Sequence, residues 1–210
     1  YNNEISHYFY DKVGKQYEKN ITVYNNNVTY CNSITEIYDD ENNKYKIYNF
    51  KSLLKTNDIY YSNCIYHNIG KYILKSPTDY INTTRLVIAD KIKKDIDDKY
   101  FIYNNKKYPS DLQALVKLYR DLSNTHLYNN INNSIDFKNL LMSDLHWITE
   151  LDLAILANLN NLVFKVMYAS NNDIIDQYTI IGDESKSNDI YYLYSIQFYY
   201  KKIYYYMEKV

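Results

Sequence analysis

Cysteine, charge of one sign and long apolar runs are all in short supply. Only two cysteines occur, Cys31 and Cys64. They are too few for a disulfide framework, so the chain is expected in a reducing intracellular compartment such as a host cytoplasm or a virion. A formal net charge of -1 supplies no basic field, which argues against nucleic acid as the main partner. No apolar run has the length of a membrane-crossing helix and no signal segment is visible, so no membrane role is expected. The four histidines are scattered and match no metal-ligand spacing with the two distant cysteines. Neither a metal nor another cofactor is expected.

Glycine and proline are scarce too, with 3 and 2 copies, so Asn- and Asp-rich breaks have to mark most of the turns. Tyrosine is abundant instead, at 29 of 210 residues, together with Asn, Ile and Lys. All four are written with AT-rich codons. The bias therefore reports an AT-rich genome, as in large DNA viruses, some parasites and some intracellular bacteria, and a viral protein is the leading expectation. Motifs built mainly from Tyr and Asn carry little weight in such a chain. Sequons at Asn20, Asn27, Asn82 and Asn132 arise cheaply here, and secretion is the lesser reading. A chain that begins at Tyr1 rather than Met is read as an excised or processed fragment.

At 210 residues one domain with a sizeable core is the default. Residues 1–55 read as a polar, Tyr- and Asn-rich extension packed on that domain. Short β-like runs lie at Val23-Tyr24, Val28-Thr29-Tyr30 and Tyr45 to Phe50, broken by Asn25-Asn26-Asn27 and Asp39 to Asn43. Residues 56–210 read as the domain itself. Apolar spacing predicts helices over Ile65–Leu74, Thr84–Asp97, from Pro109-Ser110-Asp111 to Leu122, around Phe137–Met142, and over Thr149–Leu159. The period then changes, predicting strands at Leu162–Tyr168, Tyr178–Ile181, Tyr191–Tyr200 and Ile203–Val210. Helices first and strands last imply an α+β fold with a small, mostly antiparallel sheet flanked by helices.

Chemistry concentrates in the run Asn57 to Ile69, where an extended segment and a polar turn lead into Cys64 at the start of a helix. A thiol there faces the positive end of the helix dipole, which favours the thiolate. The run Ser62-Asn63-Cys64-Ile65-Tyr66-His67-Asn68-Ile69 resembles the Asp-Gly-Asn-Cys-Leu-Phe-x-x-Ile nucleophile motif of the ovarian-tumour (OTU) cysteine proteases, many of which are deubiquitinases. Trp147-Ile148-Thr149-Glu150-Leu151, followed by the strand at Leu162, resembles that family's Trp-Gly-x-x-acidic-Leu helix. The helix Arg85 to Ile92 is similar to its second helix. The resemblance covers residues 57 to 210 and implies a papain-type cysteine protease fold.

Carried over, it implies Cys64 as nucleophile and Ser62, Asn63 and Cys64 as the oxyanion turn. It also identifies what is missing. Tyr61 stands where the family often has aspartate, Ser62 replaces its glycine, and Tyr204 or Tyr205 takes the place of its histidine. Tyrosine, with a reference pKa near 10, is a poor base for a thiol at neutral pH. His67, three residues after Cys64, is a weak candidate base whose bland reading is a packed or surface histidine. His146 would need its loop rearranged. Glu150 and Asp152 read as dipole partners at a helix start capped by Thr149, Trp147 as a core anchor, and Tyr199, Tyr204 and Tyr206 as partly exposed. The expectation is a degenerate OTU-like domain serving as a protein-binding or structural module, with ubiquitin the partner the resemblance implies. The alternatives are an active deubiquitinase using an unusual base, and a self-assembling architectural subunit.

Overall fold

The computed structural model describes residues 23–24, 27–28, 31–38, 41–51, 63–103, 106–123, 126–169, 175–198 and 201–210. After two short paired strands, β1 (Val23–Tyr24) and β2 (Asn27–Val28), come β3 (Cys31–Tyr38) and β4 (Lys44–Lys51). Helix α1 (Cys64–Asn68) continues into a π-helical turn (Ile69–Ile73), and α2 (Tyr80–Asp98) follows. A hairpin of β5 (Tyr100–Tyr103) and β6 (Lys106–Pro109) precedes α3 (Leu112–Ser123), α4 (Ser134–Met142) and α5 (Glu150–Asn160). The chain closes with β7 (Leu162–Ala169), β8 (Ile175–Ile181), β9 (Asp189–Phe198) and β10 (Lys201–Lys209).

Six strands form one sheet in the order β3-β4-β10-β9-β7-β8. Only the β7–β9 pairing is parallel; the other four are antiparallel. The architecture is thus α+β with a mixed, mostly antiparallel sheet and helices. The four C-terminal strands stand where the period change predicts them. Strands β3 and β4, inside the stretch read as an extension, belong to the same sheet, because β4 fills the edge of β10 with Tyr48 opposite Tyr206 and Ile47 opposite Met207. Alternation along β4 buries Tyr45 and Ile47. The β5–β6 hairpin falls in a stretch that periodicity left unassigned; its Phe101 is buried and stacks on Tyr108.

Helix α2 differs from its apolar pattern in an informative way. Its buried face runs through Thr84, Arg85, Ile88, Ala89, Ile92 and Asp95, whereas Leu86 is exposed. The face is turned toward Arg85 because hydrogen bonds wait for that side chain in the interior. On the outer side Lys93 pairs with Asp97 and Lys94 with Asp98 one turn on. Helix α5 is nearly apolar all round, and its start carries a full capping box between Thr149 and Asp152. The core joins α1, α2, α3 and α5 to one sheet face through residues such as Ile65, Ile88, Leu115, Leu156, Phe164 and Leu193.

Candidate functional site

Cys64 opens α1, as its flanking sequence predicts, and α1 packs against β4 and β10. The helix that carries the candidate nucleophile therefore lies beside the late strand that carries Tyr204 and Tyr205. Five α-helical residues and one π turn cannot stand alone in water, so these strands and α2 hold the segment in place. Thr84 helps from α2 by donating to the Tyr66 carbonyl at 2.8 Å, and Asn68 donates to the Tyr48 carbonyl at 3.0 Å. Cys64 carries a thiol and is 0% exposed.

Of the residues expected to form an oxyanion turn, Asn63 is described and buried. Ser62 and Tyr61 lie outside the described residues. Tyr204, Tyr205 and Tyr206 are all buried, which corrects the expectation that Tyr204 and Tyr206 are partly exposed; Tyr199 lies outside the described residues. Neighbouring strand residues face opposite ways. Tyr204 shares the core with Ile65, Tyr66 and Ile69 of the Cys64 segment, whereas Tyr205 faces the other side of the sheet with Ile203 and Met207. Both faces of β10 are buried, so alternation here separates two interiors and not an inside from an outside.

His67 is half-buried, its ring lies edge-on to Tyr80 at 5.0 Å, and its Nδ1 is 3.4 Å from the Asn68 amide oxygen. Burial pushes its pKa below the ordinary value. His146 is buried, and both of its ring nitrogens are engaged. Nε2–H donates to Asp152 Oδ2 at 3.0 Å, which leaves Nδ1 to accept the Tyr128 hydroxyl at 2.5 Å. A carboxylate oxygen accepts, so the hydrogen bond to Asp152 places a proton on Nε2. With both nitrogens occupied, His146 has no lone pair left for a thiol proton. Trp147 is half-buried and Ile148 beside it is the buried residue, so the apolar anchor shifts by one position.

Asp152 is the centre of a buried polar cluster that sequence reasoning reduced to a helix-start charge. Its carboxylate accepts from Tyr119 Oη at 2.6 Å, from the Thr149 backbone N–H at 2.7 Å, from Thr149 Oγ1 at 3.0 Å and from His146. Four donors compensate a carboxylate that is 0% exposed. Tyr119 and Tyr128 have pKa values pushed well up, first by burial and then by the Asp152 charge, so both remain hydroxyl donors.

The second unforeseen residue is Arg85, one of only two arginines in the chain and fully buried. Its guanidinium donates to the carbonyls of Leu141 at 3.0 Å and His146 at 3.1 Å, and to Asn63 Oδ1 at 3.0 Å. It lies 3.9 Å over the Tyr66 ring, with Asp144 at 4.0 Å. A forked, planar cation does what a lysine cannot, linking several acceptors at once. An arginine inside an apolar run of a lysine-rich chain was the available signal for it.

Among the described residues no group of three or more His, Cys, Asp or Glu side chains is arranged to hold a metal ion, and no helix is long and apolar enough to cross a membrane. The assembled site is a covered thiol, a tyrosine at the expected histidine position and an inward-facing polar cluster. Set against known proteins, the chain matches no family and no curated protein.

Proposed function

We propose that this chain is an OTU-like domain that no longer catalyses proteolysis and serves as a protein-binding or structural module. The observation that carries the reading is the complete burial of Cys64. A nucleophile has to meet an isopeptide carbonyl, and a sulfur without exposed surface meets no polymer substrate. The missing base supports the same reading. General-base catalysis contributes about 10²–10⁴-fold, and the position matched to the family's histidine carries Tyr204 or Tyr205, both buried. Support for the lineage itself is the sequence resemblance together with the packing of the Cys64 helix against β10. Ubiquitin is the partner that this lineage implies.

The test is incubation with a ubiquitin whose C-terminus carries a thiol-reactive electrophile, followed by intact mass measurement. No mass shift is expected, while unmodified ubiquitin titrated against the labelled chain gives a saturable signal. An adduct that disappears in Cys64→Ala overturns the loss of catalysis. Absence of any binding removes ubiquitin as the partner.

A further inference from the structure

Asn63 occupies the N-cap of α1, and Asn is among the residues best suited to cap a helix. Yet its side chain makes no capping hydrogen bond. Nδ2 donates to Asp144 Oδ1 at 2.8 Å, and Oδ1 accepts from Arg85 at 3.0 Å. The side chain that would finish the helix instead ties it to α2 and to the connection between α4 and α5. Arg85 grips the last turn of α4 through the backbone oxygen of Leu141 and the connection itself through that of His146. It also covers Tyr66, so the guanidinium holds residues on both sides of Cys64.

One member of this arrangement is within reach of solvent. Asn63, Tyr66 and Arg85 are buried, whereas the Asp144 side chain is 42% exposed. Two polar atoms at the centre, Arg85 Nε and Tyr66 Oη, are buried without a hydrogen-bond partner. Buried polar atoms are nearly always paired. The closed arrangement thus leaves hydrogen-bonding capacity unused, and a shifted turn can recover there part of what it loses elsewhere.

We propose that Asn63, Arg85 and Asp144 form a latch that keeps Cys64 covered, with Asp144 as the handle through which the α4–α5 connection releases it. The latch governs access to the sulfur whether or not Cys64 ever attacks a carbonyl, so it stands or falls separately from the loss of catalysis.

The test uses the full chain with Cys31→Ser, leaving Cys64 as the only thiol, and follows alkylation by N-ethylmaleimide under native conditions by mass spectrometry. Labelling is slow in this background. Asn63→Ala and Asp144→Ala each accelerate it about tenfold or more, the scale set by losing one charge-assisted hydrogen bond. Asp90→Ala, whose carboxylate pairs on the surface with Lys138, leaves the rate unchanged. Low concentrations of urea separate local release from global unfolding, because a local opening exposes little surface and its rate barely responds. Equal rates in all four proteins overturn the latch. So does an acceleration that follows global stability through the urea series.

Discussion

At the scale of single residues, the chemistry turns on side chains whose surroundings differ from what their neighbours in sequence suggest. His67 is the clearest titrating case. Burial, the largest influence, pulls its pKa below the ordinary 6.5; the Asn68 side chain opposes this and the Lys71 charge adds to it. The folded chain therefore prefers the neutral ring, and the unfolded chain takes up the proton more readily. The contribution of His67 to stability is complete above about pH 6.5 and declines as the pH falls from there through the folded-state value. Urea unfolding between about pH 7 and pH 5 should show a steeper loss of stability in the wild type than in His67→Gln. Parallel slopes would contradict this account. Cys64, Asn63 and His67 were legible as candidates because each lies within one helical turn of the nucleophile motif. Arg85 and Asp152 were not. Residue type predicts a surface place for both, and only the donors and acceptors brought from other elements make their burial tolerable.

At the scale of elements, the Cys64 segment and α2 approach each other closely at Gly70. Alanine in place of glycine inside a helix normally stabilises by about 0.5–1 kcal/mol. Gly70 lies in the π turn, and a Cβ there would sit 2.2 Å from the backbone oxygen of Tyr80 at the start of α2. No side-chain rotation relieves a clash with backbone, so the helix start has to shift. Gly70→Ala should therefore lower stability by about 1–3 kcal/mol, the usual cost of overpacking. The reading is a lower urea midpoint at unchanged slope, and an increased midpoint would refute it. Helix existence was readable here, and so were the starts at Thr149 and Asp111, whereas the caps Asp79 and Asn133 were not. Thr149 and Asp152 form the predicted helix start, and Asn133 and Asp111 accept hydrogen bonds at the starts of α4 and α3. The switch from α to π winding after Asn68 was not readable.

At the scale of the whole molecule, β10 is the strand that ties β4 to the C-terminal strands. It lies between β9 and β4, and Tyr48 donates from β4 to Glu208 at 2.9 Å. Removing β3 and β4 would open the edge of β10 along Tyr206–Lys209, where β4 now pairs, and strip out Tyr45 and Ile47, which are buried at 2% and 0% exposure. Each buried apolar side chain of this size contributes about 1.5–3 kcal/mol, against total stabilities of about 5–15 kcal/mol. A chain cut to residues 52–210 should therefore lack a cooperative unfolding transition and associate through the opened edge. Calorimetry and size-exclusion chromatography check this. A monomeric product with a sharp transition would show that the N-terminal strands are dispensable.

The sequence by itself determined the order and type of the main helices and the four C-terminal strands, the position of Cys64 at a helix start, and the absence of a histidine late in the chain. These properties are written in periods of two or 3.6 residues and in caps only three residues long. Tertiary structure alone decided that β3 and β4 join the main sheet, that the thiol is covered, that His146 is held at both nitrogens, and that Arg85 gathers the surroundings of Cys64. Those depend on partners far apart in the chain: Asn63 and Arg85 are 22 positions apart, Arg85 and His146 61, and Tyr48 and Glu208 160. No local pattern encodes such pairs. They are selected by which groups the packed interior leaves within hydrogen-bond reach of one another.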